Sequence, residues 1–312
     1  MSKKHPALGV LFALSAAILF GLNASTTKVI IGSGITAEQV VFIRSLFTGT
    51  IALTWVLLSN PRGLKVPAKM IPRLLLLGIV GVGLVQWIYS QAVFYLPIGI
   101  ALLLEYTAVL WVPIIALLFF KEKVKGQIWI GAFLVLGGLA VVAQIWDSQL
   151  NPVGVMYSML AAAALTVHLI AGERIQRTLP TNVTLAYGMG IATLFFLPLA
   201  NIGSLDLSLM NSTIDLTGNL AGVEIPVWLA LTFMGIFGSF LPMAMTYMAL
   251  RHLPATLVGV VATAETVLAA MFALLWLGEL ISLTQMIGSI VVICGILLAQ
   301  TARESKSTKA VE

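Results

Sequence analysis

The chain matches itself. Gly78, Gly81, Ala92, Pro97, Glu122, Gly131 and Gly138 recur 157 positions later as Gly235, Gly238, Ala249, Pro254, Glu279, Gly288 and Gly295. Nearer the N-terminus the offset is 145, pairing Gly9 with Gly154, Ala16 with Ala161 and Ala17 with Ala162. Each copy holds about five apolar runs. An odd number of crossings turns the second copy upside down in a membrane relative to the first. Two inverted copies facing one another are how many secondary transporters frame a central site with two exits. The duplication therefore predicts an all-α membrane protein of ten transmembrane helices in two inverted five-helix repeats, residues 8–146 and 153–302, followed by a polar cytoplasmic tail, 303–312.

Composition removes the soluble alternative. Sixty per cent of the residues are hydrophobic and nine per cent charged, against roughly 45–50% and ~25% in ordinary soluble domains. The apolar runs repeatedly reach the ~20 residues needed to cross a bilayer. Spans at 8–31, 37–58, 72–95, 98–120, 126–146, 153–176, 183–203, 225–250, 255–277 and 284–302 use nearly all of the 312 residues, leaving no separate soluble domain. The first run is too long for a cleaved signal and has no convincing cleavage site. The single Cys294 excludes an internal disulfide and, in an apolar run, reads as an inert packing residue. The connection 204–224 absorbs the difference between the two offsets and reads as an ordinary polar loop, with a short amphipathic turn at most.

Orientation follows from the basic residues. With the N-terminus inside, Lys3, Lys4, Arg62, Lys65, Lys69, Arg73, Lys121, Lys123, Lys125, Arg174, Arg177, Arg251, Arg303, Lys306 and Lys309 all fall on the cytoplasmic side. Lys28 and Arg44 lie within or at the end of spans, and Glu38, Asp147, Asp206, Asp215, Glu224 and Glu279 face out. This is the positive-inside bias. It accounts for a pI near 9.4 without a nucleic-acid partner.

Two stretches carry a resemblance. Leu104–Val142 reads LEYTAVLWVPIIALLFFKEKVKGQIWIGAFLVLGGLAVV, and Ala264–Gln300 reads AETVLAAMFALLWLGELISLTQMIGSIVVICGILLAQ. Each resembles the signature of the EamA-like branch of the drug/metabolite transporter superfamily: a membrane helix, a short Glu-containing turn, then a Gly-spaced helix. Val109 and Thr266 stand where that family often has Pro. The LEYT segment, Leu104–Thr107, is similar to the branch that handles threonine and homoserine. The resemblance implies ten helices, the fifth and tenth peripheral, and a cavity lined by the first, third, fourth, sixth, eighth and ninth. It also implies transport of small polar metabolites, commonly outward.

Glu105 and Glu265 are the sharpest site candidates, because each interrupts an apolar run, where a charge costs roughly 2.5–3.5 kcal/mol even on permissive insertion scales. At 1.5 Å rise per residue, Glu105 lies roughly 10 Å below the outer surface and Glu265 roughly 15 Å above the inner one. Three positions apart in the repeat alignment, they are expected to face one cavity from opposing copies. Arg44 lies at a depth like that of Glu105, either as its structural partner or as a clamp for a substrate carboxylate. Lys28 reads as snorkelling to the interface. Asn23 and His168 occupy matching repeat positions. Both are candidates for substrate hydrogen bonds or for interhelical ones, and His168 also for proton relay. Gln86, Tyr89 and Tyr247 would give a polar-tipped aromatic lining, while Trp87 faces either that lining or lipid. Pro113 and Pro242 are expected to bend their helices.

The reading is a secondary transporter exporting amino acids or related small molecules by alternating access. Its partners are a small-molecule substrate and the lipid bilayer, with protons a candidate coupling ion, and the chain works as a monomer or homodimer. No cofactor or metal is expected: His5, His168 and His252 are not paired at metal spacing, and no HExxH or P-loop pattern occurs. The alternatives are a membrane-embedded enzyme acting on lipids, which needs a nucleophile–base set or metal ligands, and a passive metabolite channel.

Overall fold

The computed structural model describes residues 5–31, 35–96, 98–147, 150–204, 207–278, 280 and 282–301. Pro97, Glu279, the side chain of Lys28 and the expected tail 303–312 lie outside the described residues. The helical segments are α1 (Pro6–Ile31), α2 (Ala37–Ser59), α3 (Ala68–Tyr95), α4 (Ile98–Glu105 continued by Ala108–Leu118) and α5 (Gly126–Val142). They continue as α6 (Pro152–Gln176), α7 (Thr181–Phe196), α8 (Val227–His252), α9 (Ala255–Leu277, broken at Thr263) and α10 (Leu283–Thr301). Among the described residues eight of these are long and apolar enough to cross a membrane, whereas α5 and α7 are shorter. The seventh span, expected to reach 203, stops as a helix at Phe196.

Local chemistry sets the helix starts. At α2, Thr36 Oγ1 accepts Gln39 N–H at 3.3 Å and Gln39 Oε1 accepts Thr36 N–H at 3.1 Å, so two otherwise orphan donors are satisfied reciprocally. Asn151 Oδ1 caps α6 through Val153 N–H at 2.9 Å, with Pro152 in the first turn. The outer faces are apolar and open: Phe94 is 80% exposed, Leu194 71% and Phe133 62%. Such faces are unfavourable in water and natural in lipid. Cys294 is exposed on α10, alongside Ile290, Ile293 and Leu297, and is not the packed residue expected.

The packing is reciprocal between copies. Gly9 of α1 abuts His252 and Leu253 at the end of α8, while Gly154 of α6 abuts Tyr95 and Leu96 at the end of α3. The offsets 145 and 157 carry one set onto the other. α2 packs on α7, and α5 on α10. In the last pair the backbones touch: a Cβ on Gly131 would lie 2.7 Å from Gly295 O, and one on Gly138 2.8 Å from Gly288 O. Since 131 meets 295 and 138 meets 288, the two helices run antiparallel. Between helices in lipid such close approach takes the place of the missing hydrophobic drive.

The segment expected as a plain loop is a small strap, which corrects the all-α expectation. Short 3-10 turns lead into a two-stranded antiparallel hairpin, β1 (Thr213–Asp215) and β2 (Glu224–Pro226), with Ile214 opposite Ile225. Asp215 closes it, accepting Thr217 N–H at 2.6 Å and Gly222 N–H at 2.7 Å. The hairpin is fastened to the end of α9: Trp276 Nε1 donates to Leu216 O at 2.9 Å and Asn219 Nδ2 to Leu275 O at 3.1 Å. Gly218, at φ +57°, lies so near that a Cβ would sit 2.5 Å from Trp276 O.

The α5–α10 contact gives a paired prediction. Gly138→Ala forces a methyl to within 2.7 Å of Val292 N and should lower the stability of the purified protein by about 1–3 kcal/mol. Gly137→Ala, where nothing lies within 4 Å, should leave it unchanged or raise it. Thermal unfolding in detergent reads the difference.

Candidate functional site

Four irregularities shape the centre of the molecule. α3 widens to a π-helix over Leu77–Leu84 and α8 over Ile236–Phe240. α4 breaks at Tyr106 and Thr107, α9 at Thr263. Subtracting the offset of 157 puts 236–240 on 79–83 and 263 on 106, so the irregularities are equivalent between copies. At each break a threonine hydroxyl takes up a loosened carbonyl, Thr107 Oγ1 donating to Leu104 O at 2.7 Å and Thr263 Oγ1 to Val260 O at 2.6 Å. Pro242 follows the α8 π-segment directly, where the widened turn accommodates its missing N–H. Pro113 stays inside the second half of α4, and the break falls N-terminal to it.

Between these irregularities lies a cavity of about 200 Å³, lined by α1, α2, α3, α4, α6, α8 and α9. Asn23, Arg44, Gln86, Tyr89, Glu105, His168 and Glu265 all line it. Tyr247 does not: it is 1% exposed and stacks behind His168, with ring centroids 5.4 Å apart. α2 enters the lining only through Arg44, which the expected set of six lining helices lacked, while α5 and α10 stay outside it.

The polar contacts join the two copies. His168 Nδ1 lies 2.7 Å from Gly81 O, and since a carbonyl only accepts, that nitrogen carries the proton. Arg44 Nη2 donates to Gly238 O at 3.1 Å. No ion pair joins Arg44 to Glu105 among the described residues, so the expected Arg–Glu pair gives way to a backbone contact. Gly238 lies in the α8 π-segment, and Arg44 reaches its carbonyl from α2. Asn23, the repeat counterpart of His168, presses against Gly238 as His168 presses against Gly81. Trp87, expected at the lining or in lipid, donates instead to Glu38 Oε1 at 3.4 Å, beside Gln91 at 3.3 Å.

The acids are treated differently. Tyr106, at the break of α4, donates its hydroxyl to Glu265 Oε2 at 2.7 Å and lies 3.3 Å from Ala262 O. Glu105, 8% exposed, has no hydrogen bond among the described residues. Sequence reasoning missed Tyr106, Ser239 and Thr246, which also line the cavity. The clue to Tyr106 was its place next to Glu105, the one charged residue of that run. Ser239 and Thr246 are single hydroxyls in an apolar run with no charge beside them, and gave no such signal.

One end of the bundle carries a charged cluster. Arg174 lies 3.3 Å from Glu122 and, as a cation–π contact, 3.3 Å from the centre of the Phe120 ring. Arg177 lies 2.6 Å from Glu173 and 3.7 Å from Glu122, and hydrogen bonding to Glu173 pushes its guanidinium above the usual arginine value. Glu173, 7% exposed, also accepts Ala255 N–H at 2.9 Å, at the start of α9.

This arrangement, a largely apolar chamber holding a few buried charged and polar groups, inside a bundle of membrane-length helices contributed by both copies, defines a multi-pass membrane transporter. Residues 7–144 and 152–301 each match the EamA-like transporter family, and the chain belongs to it. An uncharacterized transporter of Bacillus subtilis, YdfC, is 25% identical over 294 residues, covering 91% of this chain and 89% of that protein. The threonine/homoserine exporter RhtA of Salmonella typhimurium is 25% identical over 296 residues, 94% of this chain and 89% of its own. The pseudopaline exporter CntI of Pseudomonas aeruginosa is 27% identical over 195 residues, 61% of this chain and 66% of its own. A solved crystal structure has the same fold, with a TM-score of 0.76 at 18% identity over 97% of this chain and all of that one. The protein is thus a plasma-membrane transporter of a small molecule and not an enzyme.

The Tyr106 contact is testable without knowing the substrate. Tyr106→Phe removes the donor to Glu265 and should cost about 1–3 kcal/mol of stability. Tyr89→Phe, whose hydroxyl has no hydrogen bond among the described residues, should cost little by the same thermal measurement.

Proposed function

We propose that this chain is a secondary transporter that exports small polar metabolites, amino acids or close relatives, by alternating access. It crosses the bilayer ten times as two inverted five-helix repeats, residues 8–146 and 153–302, with both termini in the cytoplasm. The observation that carries the reading is the cavity itself: each copy contributes one acid, Glu105 and Glu265, next to the break in its α4 or α9. Discontinuous helices at the interface of two repeats are where carriers bind their substrates. Glu265 and Glu105 bind the substrate's ammonium group or exchange a proton, with Asn23, His168, Gln86 and Tyr89 hydrogen-bonding around it. His168 holds Gly81 O with its Nδ1 proton, so its open Nε2 serves the ligand as an acceptor. Arg44 has its Nε unpartnered and attracts a substrate carboxylate, and Tyr247 supports His168 from behind.

Two kinds of observation favour export of metabolites over a passive channel. The relatives RhtA and CntI are named as exporters, of threonine/homoserine and of pseudopaline. Equivalent irregularities in the two copies also suit a machine with two related end states better than a static pore. Protons serve as the coupling ion, and the internal duplication makes a working monomer sufficient, although a homodimer remains compatible with the open apolar faces.

Two measurements test this. Glu265→Ala should abolish counterflow into proteoliposomes across a panel of amino acids, and unchanged uptake refutes the site. Single cysteines at Lys123 and Val223, introduced on a Cys294→Ser background, should be labelled from opposite sides of the membrane. Labelling from one side overturns the inverted topology.

A further inference from the structure

Several acceptors of the cavity lie open, beside fewer open donors: the Tyr89 hydroxyl, the Asn23 amide and Arg44 Nε. Glu105 is 8% exposed and lines the chamber, yet no protein donor reaches it among the described residues. Glu265 uses Oε2 for the Tyr106 hydroxyl, leaving Oε1 open. Gln86 has its amide nitrogen tied to Val82 O at 3.0 Å, which fixes the orientation of the amide and leaves Oε1 buried without a donor. His168 has its Nδ1 proton on Gly81 O, so Nε2 of the neutral ring is a further acceptor. Against these stands, among the described residues, one lining cation, Arg44, bound to Gly238 O through Nη2 and with Nε unpartnered.

We infer that the cavity takes a ligand that is rich in hydrogen-bond donors and positively charged: an aliphatic chain bearing a terminal primary ammonium group, as in a basic amino acid or a diamine. The inference rests on the transporter reading above and narrows its substrate class. An ammonium group supplies three donors and a charge, meeting acceptors that otherwise stay unsatisfied at a cost. Among the described residues two carboxyl groups line the cavity against one arginine, which favours one more cation. The rings of Phe20, Tyr89 and Tyr106 border the same space and attract a cation through their faces. Leu102, Met243 and Val258 supply an apolar wall for methylene groups. A neutral or anionic ligand leaves Glu105 without a partner. In that case a proton on Glu105, and not the ligand, would have to neutralise it.

The test compares lysine with norleucine, which keeps the same backbone and chain and lacks the terminal ammonium. Full-length protein in proteoliposomes is assayed by counterflow with lysine, cadaverine, norleucine and threonine. Lysine, cadaverine or both should exchange about tenfold more effectively than norleucine, the factor expected for a hydrogen bond to a charged group. Glu105→Gln should remove that preference, bringing lysine and norleucine to the same rate, and Glu105→Asp should retain it. Gln86→Leu, which leaves both acids in place, should weaken lysine exchange several-fold more than norleucine exchange. It serves as the test if Glu105→Gln does not fold. Norleucine or threonine exchanging as well as lysine in the unmodified protein overturns the inference and leaves the transporter reading standing, as does a preference for lysine that survives Glu105→Gln. Absence of exchange with every probe overturns the transporter reading itself, and the inference with it.

Discussion

Inside a membrane every backbone N–H and C=O must find its partner within the protein, because no water is there to replace it. A regular helix meets that condition by itself. This chain departs from regularity at its centre, and each departure is met by a named side chain. In the π-segments Gly81 O and Gly238 O are bound by His168 and Arg44. At the breaks Leu104 O and Val260 O take both the backbone N–H and the hydroxyl of Thr107 and Thr263. The threonines act within their own helices. His168 and Arg44 act across the copies, so the irregular backbone and the joining of the two halves have one physical cause. The cavity sits where it does because that is where backbone can be irregular without being orphaned.

The symmetry is good in the packing and poor in the chemistry. Glycine contacts at α1–α8 and α6–α3 repeat each other closely, and α5 meets α10 as an antiparallel equal. The charged cluster at the end of α6 has no such echo: positions 145 before Glu173, Arg174 and Arg177 hold Lys28, Val29 and Gly32. The hairpin is equally one-sided, fastening the far end of α9 through Trp276 and Asn219. The two ends of the molecule are therefore held by different forces. One is held by charges, partly exposed and hence individually weak in water. The other is held by backbone contacts that salt does not screen. A machine alternating between two closures would pass through barriers that differ in size and in their dependence on ionic strength.

How much of this could be read from the sequence follows the kind of interaction involved. Repeated glycines at matched offsets show in the letters, but their partnership does not: only the structure shows that they bring α5 and α10 together. Acids in apolar runs foretold the cavity lining, since burial without purpose is expensive. Arg44 was found, but its contact with a main-chain carbonyl of the α8 π-segment was not, as a backbone acceptor has no sequence letter. Tyr247 was placed one face off: Met243 and Thr246 reach the chamber, while the tyrosine turns behind His168. The hairpin was invisible because three-residue strands are too short to show alternation. Tyr106 was passed over as one more aromatic in an apolar helix.

Glu105 and Glu265 look like a symmetric pair in the sequence, and the structure gives them unequal freedom. Glu265 is held by a tyrosine from the other copy, and that tyrosine stands at the α4 break and within reach of Ala262 O beside the α9 break. Anything that competes for Glu265 therefore pulls on a contact shared by both discontinuous helices. Glu105 has no such tether and meets whatever enters the cavity without first giving up a protein partner. Binding at Glu105 is consequently local, whereas a change at Glu265 is felt at the junction of the two halves. A carrier needs both properties, a group that recognises its cargo and a group whose engagement loosens the frame. In this chain the sequence neighbour of the first, Tyr106, is the side chain that restrains the second.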